Sequence, residues 1–215
     1  MINPESQTRL IRQVYEAGGF VQEEFWSAAG IRSNFKIQLQ EAANHQPDLH
    51  SIFGHLIARE IGDVDVLAAT GGAIKFARAA AEIAMKPLIL VEAYYIKGAK
   101  YFRLNNGGLD LAQQEPEIGF IEDVTSTKGT IKRVIETTGL EQLITQGVAC
   151  WRRGRVAPTD MGNEDIQEYN RRFAFRELYE EPLPFPMSNI IERFVPLWIP
   201  TEQQQVLYIP EMEEV

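Results

Sequence analysis

Apolar residues recur along this chain at two different spacings, and the switches between them mark its parts. Near the start, Asn3 and Pro4 open a helix well, because Asn can cap and Pro fits the first helical position. Leu10, Ile11, Val14 and Tyr15 form an apolar stripe that Gly18-Gly19 stops. The segment SNFKIQL then alternates, with Phe35, Ile37 and Leu39 on one side, and predicts a strand. Leu49, Ile52, Phe53, Leu56, Ile57 and Ile61 return to three- and four-residue steps, and Gly62 ends the helix they predict.

Beyond residue 63, strand and helix patterns take turns. The run VDVLAA meets a turn at Thr70-Gly71-Gly72, and an alanine-rich helix, AIKFARAAAEIA, follows. Pro87 precedes a second apolar run, LILVEAYY. After a polar stretch, IGFIEDV reads as a strand, a second glycine-bearing turn leads into the helix TIKRVIETT, Gly139 stops it, and GVACWRR is a further strand. Strand, turn, helix and strand in repetition imply right-handed crossovers and an α/β fold: a mainly parallel sheet flanked by helices. The last 36 residues hold six of the eleven prolines, which block helix interiors and central strands. They read as extended segments wrapped on the main domain, with edge strands at IERFVPLWI and QVLYI.

Totals narrow the classes. A length of 215 residues suits one large domain with an appendage, and 45% apolar with 24% charged residues is ordinary for a soluble globular protein. A net charge of −9 argues against a nucleic-acid binder that relies on broad phosphate attraction. The single Cys150 cannot form an internal disulfide, which points to a reducing, cytoplasmic setting. No run approaches about 18 apolar residues, so no membrane span is expected. The N-terminus lacks the apolar stretch of a secretory signal.

The chemistry concentrates in one segment, IGFIEDVTSTKGTI. An apolar strand ends in two adjacent acids, Glu122 and Asp123; a hydroxyl-rich turn of Thr125, Ser126 and Thr127 follows; Lys128, Gly129 and Thr130 then open a helix. Ligands in open parallel sheets sit beyond the carboxyl ends of the strands. Backbone N–H groups at a helix start, with hydroxyls and a lysine, cradle phosphate. Carboxylates beside a phosphate make sense if they hold sugar hydroxyls or a magnesium ion. The whole describes a site for a phosphorylated sugar, weighed against a plain strand–turn–helix corner whose polar residues only cap the helix. Other chemistries lack support. His45, His50 and His55 are five apart and do not stack on one helical face, and HExxH, paired CxxC and GxxxxGK[ST] patterns are absent. Cys150 within GVACW reads as a buried structural residue, and Trp151-Arg152-Arg153 as a strand end with solvated charges.

The segment EDVTSTKGT resembles the phosphoribosyl-pyrophosphate signature of the type I phosphoribosyltransferases: two acids, an aliphatic residue, a Thr/Ser pair, then Thr-Gly-Gly and a hydroxyl. Other pieces match in the family's order, with orotate phosphoribosyltransferases the nearest group. AGIRSNF resembles their Ser-Gly-x-x-Ser-Pro-Tyr segment, VDVLAATGGAIKFARAAAEI their pyrophosphate loop and next helix, and GVACWRRG their late strand ending in Asp-Arg. The likeness covers roughly residues 19–154. It implies a phosphoribosyltransferase-like domain over residues 1–180, with an N-terminal hood over about 1–45 and a C-terminal appendage over 181–215. It implies magnesium-dependent transfer of a phosphoribosyl group from phosphoribosyl pyrophosphate to a nucleobase, orotate first. Glu122 and Asp123 would hold the ribose hydroxyls and, through water, the metal. Thr125, Ser126, Thr127, Lys128, Gly129 and Thr130 would hold the 5-phosphate. Ala69, Thr70, Gly71 and Gly72 would lie against the pyrophosphate, and Phe35 would belong to the hood over the base. The family's dimers pass a loop of one subunit to the neighbour's site, which implies a homodimer here, and Trp26, Phe194 and Trp198 supply extra apolar surface.

Two departures stand out. The family has glycine where this chain has Lys128, and a positive φ there would be strained. The family's mobile loop carries Arg-Lys, then Lys and His-Gly, whereas this chain reads EAYYIKGAK, leaving Lys97, Lys100 and Arg103 as the candidate catalytic cations. Residues 97–117, with Asn105-Asn106-Gly107-Gly108, suit a mobile cover or a disordered loop. A sensor of phosphoribosyl pyrophosphate that kept the cradle and lost the chemistry is therefore the alternative to an enzyme.

Overall fold

The computed structural model of the protein describes residues 3–21, 23, 25–26, 32–33, 36–125, 128–153 and 183–193. Helix α1 spans Pro4–Glu16, and Asn3 caps it, its Oδ1 accepting from the Ser6 N–H at 2.8 Å. Short antiparallel pairs follow: β1 (Phe20–Val21) with β4 (Lys36–Ile37), and β2 (Phe25–Trp26) with β3 (Arg32–Ser33). Helices α2 (Leu39–His45) and α3 (Asp48–Glu60) lead to strand β5 (Val66–Thr70). A 3-10 turn over Gly71–Ala73 opens α4 (Ile74–Ala84). Strands β6 (Leu88–Ile96) and β7 (Ala99–Leu104), helix α5 (Asn106–Ala112), strand β8 (Ile118–Thr125), helix α6 (Gly129–Thr138), strand β9 (Ile144–Arg153) and strand β10 (Met187–Arg193) complete the order.

The six long strands form one sheet in the order β10-β9-β8-β5-β6-β7, parallel throughout except that β7 runs antiparallel to β6. Helices α1 to α4 pack on one face, where Leu49, Phe53, Ile57 and Phe76 meet Leu67, Ala69 and Ile121. Helices α5 and α6 cover the other, where Ile131 and Val134 meet Val66, Ala68 and Phe120. Because both faces are covered, β5 is apolar at nearly every position rather than alternating. The α/β reading of the sequence holds.

Two local expectations change, and a third is met in part. Within the strand expected over residues 33–39, the described residues Ser33 and Lys36–Ile37 belong to separate short antiparallel pairs, and Leu39 instead starts α2, where it is buried with Ala42 and Ala43. The stretch after Lys97, read as a mobile cover or a disordered loop, carries regular structure, which removes the disordered loop. Lys97 (φ 49) and Gly98 (φ 80) make a two-residue turn of the kind that joins hairpin strands, and β7 and α5 follow. Phe102 is the physical reason, since its buried ring ties β7 to the core, and its N–H donates to Thr137 Oγ1 on α6 at 3.2 Å. Of the tail strand expected over residues 191–199, residues 191–193 fall in edge strand β10, which pairs in parallel with β9; residues 194–199 and the second expected strand, QVLYI, lie outside the described residues.

Candidate functional site

The site grows from neighbouring strand ends. Strand β8 runs beside β5 in parallel register, with Ala69 opposite Ile121, so one step further Thr70 stands next to Glu122. Thr70 is held in place, its hydroxyl donating to the Val91 carbonyl of β6 at 2.7 Å. The chain then turns through Gly71 and Gly72 directly against the acid pair. A Cβ on Gly72 would lie 2.0 Å from Asp123 Oδ2 and 3.0 Å from its Cγ. Only a residue without a side chain lets this turn and that carboxylate approach so closely.

The two acids differ. Glu122 is 4% exposed, and its Oε2 is buried without a hydrogen-bond partner. Burial, and then the negative charge of Asp123, push its carboxyl up to about 8; the Thr130 and Thr125 hydroxyls and the Lys100 ammonium pull the other way. Asp123 is half-buried, and burial raises it too, opposed by the N–H groups of Val124 and of Asp123 itself and by Lys100. Thr125, 3% exposed, makes no hydrogen bond of standard geometry through its Oγ1, although its hydroxyl lies close enough to Glu122 to favour that carboxylate. Buried polar atoms normally find partners, so the unpartnered Glu122 Oε2 fits a strand end that a ligand could complete.

Lys128, in the left-handed conformation (φ 57, ψ 16), begins α6 with no side-chain cap, so the first N–H groups of that helix face the site with the dipole's positive end. Among the described residues no three or more His, Cys, Asp or Glu gather as a metal group. Two adjacent carboxylates still fit a magnesium ion that keeps its waters and takes other oxygens from a substrate.

Comparison with known proteins adds sequence and fold. No family model matches the chain. It is 29% identical over 134 residues to the orotate phosphoribosyltransferase of Methanocaldococcus jannaschii, covering 61% of this chain and 73% of that protein. It is 30% identical over 154 residues to the uridine 5′-monophosphate synthase of Caenorhabditis elegans, 69% of this chain but 30% of that longer protein. The solved orotate phosphoribosyltransferase of Aeropyrum pernix shares the fold, with a TM-score of 0.52 at 17% identity over 67% of this chain and 82% of its own. The chain thus resembles the type I phosphoribosyltransferases in sequence and shares their fold.

Within that frame, the expected residues of this phosphoribosyltransferase-like chain fall into three sets. Gly72 packs against Asp123, Ala69 pairs with Ile121 so that Thr70 and Gly71 lie at the same end of the sheet, and Thr125, Lys128, Gly129 and Thr130 lie on the end of β8 and the start of α6. The candidate cations separate. Lys100 sits over the Phe102 ring at 5.0 Å, and its charge is felt at both acids. Arg103 points along the other face of the hairpin, paired with Glu92 at 3.2 Å and 5.8 Å above the Tyr94 ring. Lys97 occupies the hairpin turn. Phe35, Ser126 and Thr127 lie outside the described residues, as do Phe194 and Trp198.

Reading the sequence alone passed over Lys75. It stands in the first turn of α4, just past the glycine turn, and its ammonium donates to Asn44 Oδ1 of α2 at 2.6 Å. The signal was present in its position four residues after Gly71, but only the packing of α2 beside that turn gives it a fixed place. Cys150 is fully buried, and burial, with Asp123 nearby, pushes its thiol well above the ordinary value; the structural reading of that residue stands.

Proposed function

We propose that the protein transfers the phosphoribosyl group of phosphoribosyl pyrophosphate to a nitrogen of a nucleobase, with orotate the leading acceptor. The observation that carries this reading is the acid pair Glu122–Asp123 pressed against the Gly72 turn, with the uncapped start of α6 beside it. A sugar phosphate has the three features such a place can take: hydroxyls for carboxyls, a phosphate for helix N–H groups, and a second anionic group for the glycine turn. The named relatives, an orotate phosphoribosyltransferase and a uridine 5′-monophosphate synthase, support the pyrimidine acceptor.

In the proposed reaction the bond from the sugar's anomeric carbon to pyrophosphate breaks as the base nitrogen forms the new one. Positive charge develops on the sugar and negative charge on the departing pyrophosphate. Glu122 and Asp123 would orient the ribose through its hydroxyls and, through water, hold magnesium. That ion, when bound, would offset the charge of the pyrophosphate. Lys100 would meet the same leaving group, because its ammonium already lies in the field of the acids. Phe35 of the hood would cover the base. We place the protein in the cytoplasm as a homodimer. No helix among the described residues is long and apolar enough to cross a membrane.

A second reading, binding of phosphoribosyl pyrophosphate without chemistry, draws on Arg103, which Glu92 already engages. The deciding experiment incubates the protein with magnesium, phosphoribosyl pyrophosphate and a panel of bases. Pyrophosphate release with orotate supports the enzyme. Tight binding with no release from any base supports the sensor, and no binding refutes both.

A further inference from the structure

The three cations of the β6–β7 hairpin are held in three different ways. Arg103 is paired with Glu92, so a carboxylate already offsets its charge. Lys97 sits in the turn. The Lys100 ammonium lies 5.0 Å from the centre of the Phe102 ring, and among the described residues it has no ion pair and no hydrogen bond. A ring face attracts a cation without neutralising it. Lys100 is therefore restrained yet keeps its full charge for an anion.

Register carries this cation toward the acids. Val91 is level with Thr70 of β5 and with Leu104 of β7, so residues 92–103 run on past the end of β5, where the acid pair lies. Lys100 and Phe102 are two apart on one strand and share a face. The Lys100 charge is felt at Glu122 and at Asp123.

Phe102 is itself fixed from two sides. Its ring is buried in the cluster that contains Ile131 and Val134 of α6. Its backbone belongs to the edge strand of the sheet, opposite Ala93. Counted from the two-residue turn, that pair exchanges no hydrogen bonds, so the Phe102 N–H points to the open edge. Thr137 of α6 meets it there: the hydroxyl accepts from the Phe102 N–H at 3.2 Å and donates to the Arg133 carbonyl at 2.8 Å.

We propose that Phe102 is a positioning residue: the face of its ring holds the Lys100 ammonium ready for the departing pyrophosphate, on a strand that Thr137 fixes. The proposal rests on the phosphoribosyl transfer described above and deepens it, by saying how a cation on a hairpin is made ready. A lysine side chain has many rotamers to lose, and a ring that already restrains it leaves less to lose when the leaving group develops charge. The bland alternative is a core phenylalanine whose neighbour only lays its stem across it.

A ring-fluorinated phenylalanine at position 102 separates the two, because it keeps shape and burial and withdraws negative charge from the ring face. Steady-state kinetics should show turnover lowered roughly three- to tenfold, with KM for phosphoribosyl pyrophosphate within about twofold and thermal unfolding unchanged. In a Lys100→Ala background the same replacement should cost nothing further. Thr137→Val should lower turnover in the same way, and Thr137→Ser should restore it. Wild-type turnover with the fluorinated ring, while Lys100→Ala is impaired, makes Phe102 a core residue only and overturns the proposal, leaving the reaction intact. A loss of equal size with and without Lys100 overturns it too. Nuclear magnetic resonance of the lysine side chains supplies a readout without turnover. The Lys100 methylene signals should be displaced by the ring in wild type, lose that displacement in Phe102→Leu, and shift when magnesium and phosphoribosyl pyrophosphate are added. If wild type binds that ligand and releases no pyrophosphate with any base, the enzyme reading fails. Lys100 signals that still shift on binding then support the held cation, and unmoved signals overturn it. If wild type binds no phosphoribosyl pyrophosphate, the site reading fails first and the proposal with it.

Discussion

Replacing Glu122 with glutamine should stabilise the unliganded protein at neutral and mildly alkaline pH. In the unfolded chain this carboxyl ionises near 4.5, whereas in the fold it keeps its proton to about 8. Between those values the native state carries one proton more than the unfolded state, so each rise in pH favours unfolding. Whatever stability Glu122 contributes is therefore complete below its unfolded value and is lost as the pH climbs toward the folded one. Fully expressed, a gap of that size is on the order of 4 to 5 kcal/mol, and water entering beside the ionised group would reduce it. The cause is geometric: a carboxyl 4% exposed, with one oxygen unpartnered and a second acid next in sequence. Glutamine keeps the shape and cannot ionise. Urea unfolding from pH 5 to 8.5, without metal or ligand, should show wild type losing stability steadily while Glu122→Gln stays flatter, the two diverging by a few kcal/mol at the alkaline end. Glu141→Gln, a change at an exposed glutamate, is the control. Parallel curves for wild type and Glu122→Gln would mean that Glu122 ionises normally in the fold, and the account of this acid would fall.

Other outcomes follow from the same geometry. Gly72→Ala drives a methyl into Asp123 Oδ2 and should cut turnover by roughly 10- to 100-fold, because a displacement of about 1 Å is enough. Gly71→Ala meets no atom within 4 Å but sits at φ +55, so it should cost stability of about 1 kcal/mol and move Asp123 less; equal activity losses in the two variants would remove the steric argument. Lys100→Ala should lower turnover by at least about tenfold with ground-state binding much less affected, and Arg103→Ala or Lys97→Ala should do less. Steady-state kinetics that ranked Arg103 first would contradict the placement of Lys100. Light scattering at micromolar concentration should give twice the chain mass. The exposed Tyr95 and Ile96 of the β6–β7 hairpin are apolar surface that a second copy would cover, and a monomer mass would exclude the dimer.

Much of this protein was legible along the chain because the signals are local. Asn3-Pro4 starts α1, Gly139 ends α6 in the left-handed conformation, and the buried run at β5 announces a covered parallel sheet. The acids, hydroxyls and helix start of residues 122–130 lie within nine consecutive positions, so their order alone carries a chemical meaning. Even the strain at Lys128 could be foreseen, since a turn built for glycine here holds a lysine. What tertiary structure decided depends on segments far apart in sequence. That Asp123 rests on Gly72 follows from the pairing of β5 with β8, and the protonation of Glu122 follows from how many layers cover that strand end. The hairpin after Tyr95 could not be read from its polar residues, because the buried contact of Phe102 with the core orders it. Among three similar cations, the alternation of β7 sends Lys100 and Arg103 to opposite faces, and only the sheet's position says which face meets the acids. Local pattern sets which residues are able to act; the register between distant strands sets which of them meet.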